Sequence, residues 1–138
     1  MTPRQITLVQ STWSKIAAHS AHVAEVFYDH LFQLDSSLRP MFSPDMNAQR
    51  RALMEMLHVV VNGLYCFDEL LPEIEALGRR HVSYHVEESQ YGLVRQALLW
   101  MLAEELGDEF TEEVAMAWAA TYDQLADVMK AAAYAHAS

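Results

Sequence analysis

Polar residues able to do chemistry stand at a few places on otherwise apolar stripes, and His81 is the most telling. Leu70, Ile74 and Leu77 recur at helical spacing, and His81 takes the next place on that stripe. Its imidazole is therefore expected to face inward. A buried imidazole needs a hydrogen-bond partner or a metal ion. On this segment alone both readings stand, a histidine satisfied within the core or a metal ligand. Gln49 and Leu53 lie four residues apart, on one face of a helix. An amide one turn before an apolar stripe is either plain amphipathicity or one donor reaching over a dry pocket. Tyr28 directly follows Phe27, and an interior tyrosine there needs a partner for its hydroxyl.

The elements that must position these residues are helical. Glycine and proline occur only four times each, and no strand-like alternation lasts. Thr2-Pro3 starts a first helix carrying Ile6, Val9, Trp13 and Ile16. A second begins near Ser20 and runs through Val23, Phe27, Leu31 and Leu34. An irregular corner from Asp35 to Pro44 contains Pro40-Met41-Phe42. A third helix spans Met46 to Asn62, with Leu53, Leu57, Val60 and Val61 as its core face. The stretch from Gly63 to Asp68 reads as a connection, with Asp68 capping the helix that leads to His81. Another helix runs from about Ser89 to Leu106 and ends at Gly107. The last starts at Thr111, has Glu112 and Glu113 in a favourable first turn, and continues past Met129. The sum is one all-α domain over residues 1–138, of six or seven helices. Met54, Met56, Met101, Met116 and Met129 are expected either to line a soft cavity or to fill the core.

Composition removes several functional classes. With 9 basic against 19 acidic side chains, the formal net charge is -10. That argues against nucleic-acid or anionic-membrane partners, which need a concentrated positive field, and favours a monomer or small homo-oligomer. Cys66 is the only cysteine, so neither an intrachain disulfide nor a thiolate cluster can form. No apolar run approaches a membrane span, and the N-terminus lacks the core of a signal peptide. A cytoplasmic location is the expectation. Phosphate loops and serine-nucleophile motifs are absent. The acidic pairs Glu87-Glu88, Glu104-Glu105 and Glu112-Glu113 are sequence neighbours that share no helix face, and are expected to be solvated. His19, His22, His30 and His136 have no obvious companions and are assigned to the surface.

In order, Tyr28, Pro40-Met41-Phe42, Gln49 with Leu53, Leu77-Gly78-Arg79-Arg80-His81, Tyr91 and Trp118 resemble the globin family. The likeness is to bacterial single-domain haemoglobins and the haem domain of flavohaemoglobins, with a secondary likeness to neuroglobin. It covers nearly the whole chain. The resemblance implies a three-on-three helical sandwich around one haem b. By it, His81 matches the proximal iron ligand and Phe42 the ring that wedges against the porphyrin. Tyr28 and Gln49 match the distal pair, and Leu53 the apolar residue above the iron. Tyr91 matches the proximal tyrosine, with Val86 and Val94 as apolar haem contacts. Arg51 and Arg80 are candidates for the haem propionates, since arginine pairs bidentately with carboxylate.

Departures from the family pattern sharpen these expectations. His58 lies nine residues past Gln49, about half a turn round, so it should face away from the pocket. His85 stands where the family usually has glycine and is the rival ligand to His81, though a solvent-facing role is favoured. Arg95 also replaces a glycine, for no reason the sequence gives. The family pattern places a glutamate fifteen residues after the tryptophan matched by Trp118; here that position is Ala133. Without that carboxylate His81 should be a less anionic, moderately donating ligand.

The resemblance therefore implies reversible dioxygen binding for delivery, storage or scavenging, with no catalytic residue assigned. A tyrosine hydroxyl and a glutamine amide would donate to bound dioxygen in a low-dielectric pocket. Nitric oxide, carbon monoxide and sulfide are further ligands of the same chemistry. The second reading is a nitric oxide dioxygenase. It would depend on a separate reductase, because 138 residues leave no room for a flavin and nicotinamide domain. The third is a gas sensor or a haem-free interaction module on the same fold.

Overall fold

The structure, a computed structural model, describes residues 1–83 and 89–134, apart from the side chains of 81–83 and 134. His85, Val86 and His136 lie outside the described residues, as does the side chain of His81. Six α-helices are found among the described residues: α1 (Pro3–Ala17), α2 (Ser20–Leu34), α3 (Asn47–Asn62), α4 (Phe67–Ser83), α5 (Gln90–Leu106) and α6 (Glu112–Tyr134). Short 3-10 turns occupy Ser36–Met41, Leu64–Cys66 and Gly107–Glu109, and no strand occurs in the described residues.

Local chemistry explains the boundaries. The Thr2 hydroxyl accepts from the Gln5 amide (3.1 Å), and the Gln5 side chain accepts from the Thr2 amide (3.0 Å). That reciprocal capping box, with Pro3 in the first turn, starts α1. The α2–α3 corner is held by Asp35, whose carboxylate accepts from the Ser37 amide at 3.0 Å. Arg39 ties it further, donating to the carbonyls of Ser43 and Pro44 at 3.0 Å each while standing over the Phe32 ring. This corner delivers Phe42 toward the interior. α4 begins at Phe67, two residues earlier than a cap at Asp68 implies, so Asp68 lies in the first turn and acts on the helix dipole rather than as a cap. α5 ends at Gly107, whose φ of 56° lies in the region that glycine tolerates best. The Thr111 hydroxyl accepts from the Val114 amide (3.2 Å) and opens α6.

The main interfaces are α4 on α6, α2 on α5 and α1 on α6, with α2 also meeting α3. Helices α1, α3 and α4 thus face α2, α5 and α6, three on three. Trp118 is fully buried at the α1–α6 contact, where its indole donates to the Thr12 hydroxyl at 2.9 Å. Burying the ring without that acceptor would leave its N–H unsatisfied.

Of the histidines assigned to the surface, His22 is exposed as expected and reaches across the α2–α5 contact, whereas His30 packs into it. The His22 Nε2 lies 3.1 Å from a carboxylate oxygen of the largely buried Glu105. The half-buried His30 stacks on Trp100 with ring centroids 4.0 Å apart and planes 4° from parallel. Arg95 also gains a physical reason, since it pairs with Asp123 of α6 at 2.9 and 3.3 Å. No described helix is long and apolar enough to cross a membrane.

Candidate functional site

A cavity of about 180 Å³ opens between α2, the α2–α3 corner, α3, α4, α5 and α6. Tyr28, Phe42, Gln49, Leu53, Tyr91 and Val94 all line it. The fold thus brings together six residues that are up to 66 positions apart, from 28 to 94. Leu77 of α4 and Met129 of α6 also face it, and His81 follows Leu77 by one turn on the same helix.

Tyr28 and Gln49 bring a hydrogen-bonded pair to the cavity wall. Gln49 donates from Nε2 to the Tyr28 hydroxyl at 2.9 Å. The hydroxyl oxygen therefore accepts, and its own hydrogen stays available to a third group. Tyr28 is 4% exposed, and aromatic rings enclose it. The Phe27 and Phe42 rings meet it edge-on at 4.9 and 5.7 Å, and Phe32 stacks at 6.0 Å. Burial pushes the Tyr28 phenol above its ordinary pKa of 10.0, with the Gln49 bond opposing this in part. The phenol therefore keeps its proton at neutral pH. Gln49 as a whole is exposed, so its amide reaches in from the rim.

Tyr91 and Tyr122, also in the wall, are tied together differently. The Tyr122 hydroxyl donates to the main-chain carbonyl of Tyr91 at 2.8 Å, both residues being buried. Burial raises the Tyr122 phenol first, then Tyr91 and Asp123 add to the shift, with Arg95 opposing. Lys130 places its ammonium 5.9 Å from the centre of the Tyr91 ring. Ala133 is half-buried near the end of α6 and supplies no acceptor.

The remaining expected residues fall elsewhere. Arg51 is exposed and lines a separate groove between α2 and α3, with Arg50, Met54 and Glu55. Arg80 is exposed on α4 and is not among the residues lining the cavity. His58 faces α1, accepting from the Trp13 indole at 3.3 Å. Of the methionines, Met56 and Met129 line the cavity, whereas Met54 lines the other groove. Met101 is core and Met116 is 61% exposed. Sequence reasoning missed Tyr122, Met41 and Gln90, which also line the cavity. The spacing of Tyr122 four residues after Trp118, on one face of the last helix, was the available signal for it.

The cavity suits a largely apolar group. Its walls are mostly aliphatic and aromatic, with few polar atoms. Its volume is below the roughly 300 Å³ of smaller ligand pockets, but leucine and methionine side chains make up much of the wall. These can change rotamer around an incoming macrocycle. Among the described residues, no cluster of three histidine, cysteine or acidic side chains could hold a bare metal ion.

The family model for globins matches residues 24–129. The chain belongs to the globin family. It is 30% identical over 132 residues to a flavohemoprotein of Bordetella parapertussis, covering 94% of this chain and 33% of that protein. Flavohemoproteins of Oceanobacillus iheyensis and Rhizobium meliloti are each 27% identical, over 88% and 94% of this chain. The chain spans about a third of the length of these curated relatives. Its fold matches a bacterial globin from Campylobacter jejuni with a TM-score of 0.86, at 19% identity and over 97% of each chain.

Proposed function

We propose that this chain binds haem b in the cavity and reversibly binds dioxygen, with His81 as the iron ligand. Bound haem supplies an iron with one coordination position open to a diatomic ligand. The observation that carries the reading is the Gln49–Tyr28 hydrogen bond inside an aromatic enclosure. It leaves one phenolic O–H free to donate to a ligand seated in the cavity, and dioxygen polarised there accepts such a bond. Phe42, Leu53 and Phe27 exclude water from the same space, which strengthens the bond. His81 lies on α4 one turn beyond cavity-lining Leu77, which supports its assignment. Tyr91 and Val94 contact the macrocycle in this reading. Arg51, in the separate groove, is withdrawn from the propionate role, while Arg80 keeps it as the exposed residue next to His81.

Titration of the purified chain with haem tests this. A sharp Soret band at one equivalent, and a spectrum that changes reversibly with dioxygen, are expected. A chain that shows no such band has another function on the globin fold.

The flavohemoprotein likeness favours a second reading, oxidation of nitric oxide by dioxygen to nitrate. Each turnover then needs an electron from a reductase. Sustained nitrate production with a reductase and nicotinamide supports it. A single turnover that no reductase extends leaves the dioxygen-binding reading.

A further inference from the structure

We propose that Gly78 is a positioning residue that fixes where α4 presents His81 to the cavity, an inference that rests on the haem-binding reading above. A β-carbon added to Gly78 would lie 2.3 Å from the carbonyl oxygen of Met129, 2.7 Å from its Cα and 2.8 Å from its carbonyl carbon. All three are main-chain atoms, which cannot rotate out of the way. Here α4 and α6 touch backbone to backbone, within the interface between them.

The other glycines differ. At Gly63 the tightest contact would be the Cδ1 of Leu70, the end of a flexible side chain, at 2.6 Å. Gly92 and Gly107 would meet nothing within 4 Å. Glycine in a helix interior weakens the helix relative to alanine, so its presence mid-α4 calls for a compensating role, and the contact with Met129 supplies one.

The position of this contact ties it to the site. Leu77, next to Gly78, and Met129 itself both line the cavity. His81 lies three residues further along the same helix, about 4.5 Å along its axis. A methyl group at 78 needs roughly 1 Å more separation to reach an ordinary contact of 3.4 Å. A helix moves largely as a rigid rod over one turn, so that displacement reaches His81. The geometry of the bond between imidazole and iron would change with it, as would the wall formed by Leu77 and Met129.

The test compares haem-loaded wild type, Gly78→Ala, Ile74→Ala and Gly92→Ala. Ile74 is buried one turn before Gly78 and is not among the cavity-lining residues, so its truncation loosens α4 without forcing a clash. The readouts are the iron–imidazole stretching band of the ferrous protein by resonance Raman, the rate of haem loss and thermal stability. Gly78→Ala is expected to shift the band and to speed haem loss by roughly tenfold. Ile74→Ala should lower stability while leaving the band in place, and Gly92→Ala should leave the band and the rate of haem loss unchanged, with stability equal to wild type or higher. An unshifted band in Gly78→Ala overturns the proposal, as does an equal shift in Ile74→Ala. If Gly78→Ala fails to fold while Ile74→Ala folds, the glycine serves the fold alone and the proposal also falls. A wild-type chain without a haem spectrum defeats the haem reading itself, and this comparison separates that failure from the others.

Discussion

Tyr28 and Tyr122 are two buried phenols lining one cavity, and they use their hydroxyls in opposite ways. Both are nearly inaccessible, at 4% and 8% exposure, and burial raises both above the ordinary tyrosine pKa. Tyr28 accepts from Gln49 and so retains a hydrogen to offer. Tyr122 has already donated its hydrogen to the Tyr91 carbonyl. Hydrogen-bond direction thus leaves Tyr28 a hydrogen to offer, as the proposed function requires, and commits Tyr122 to the scaffold. Residue type and burial alone would not separate them.

The strongest way to break this contrast is to remove His81, the proposed iron ligand. His81→Ala should abolish the wild-type haem spectrum while the helical content of the chain persists. Retention of that spectrum would move the assignment to another histidine, His85 first.

Gln49→Leu comes next. It removes the amide that orients Tyr28 but leaves the phenol in place. A neutral hydrogen bond contributes about 1 kcal/mol, so dioxygen release should speed up about fivefold. Stopped-flow release rates check this, and no change would mean that the phenol needs no orienting partner.

Tyr122→Phe should have the smallest effect on ligand and act on stability instead. Losing its bond to a buried carbonyl costs about 1–2 kcal/mol, with dioxygen release within twofold of wild type. The alkaline limb tests the same residue. Its folded pKa lies above the value of 10.0 expected in the unfolded chain. The unfolded state therefore loses its proton first, and the stability from this phenol is intact below pH 10 and falls as pH rises beyond it. Denaturant melts from pH 9 upward should fall less steeply in Tyr122→Phe than in wild type.

Much of the fold was legible because apolar residues repeat at helical spacing. Thr2-Pro3 and Gly107 marked helix ends because their roles are local. The Tyr28, Phe42, Gln49 and Leu53 grouping was legible through the order of residues along the chain, which the globin resemblance turned into positions. What escaped notice depends on partners distant in sequence. His30 reads as a surface residue until α5 brings Trp100 against it, and Arg95 finds Asp123 only across 28 residues. Tyr122 enters the cavity because α6 crosses beneath Tyr91. Arg51 fails as a cavity residue for a simple reason of spacing. Two residues beyond Gln49, it points to another side of α3, toward the groove with α2.

The most direct test of the account is the rate of dioxygen release from Tyr28→Phe beside wild type. A hydrogen bond to a charged or strongly polarised group contributes about 1.5–3 kcal/mol, which is roughly 10- to 100-fold in rate. Acceleration in that range with an unchanged haem content is expected. A release rate equal to wild type would contradict it, because the free hydrogen of Tyr28 would then have no ligand to hold.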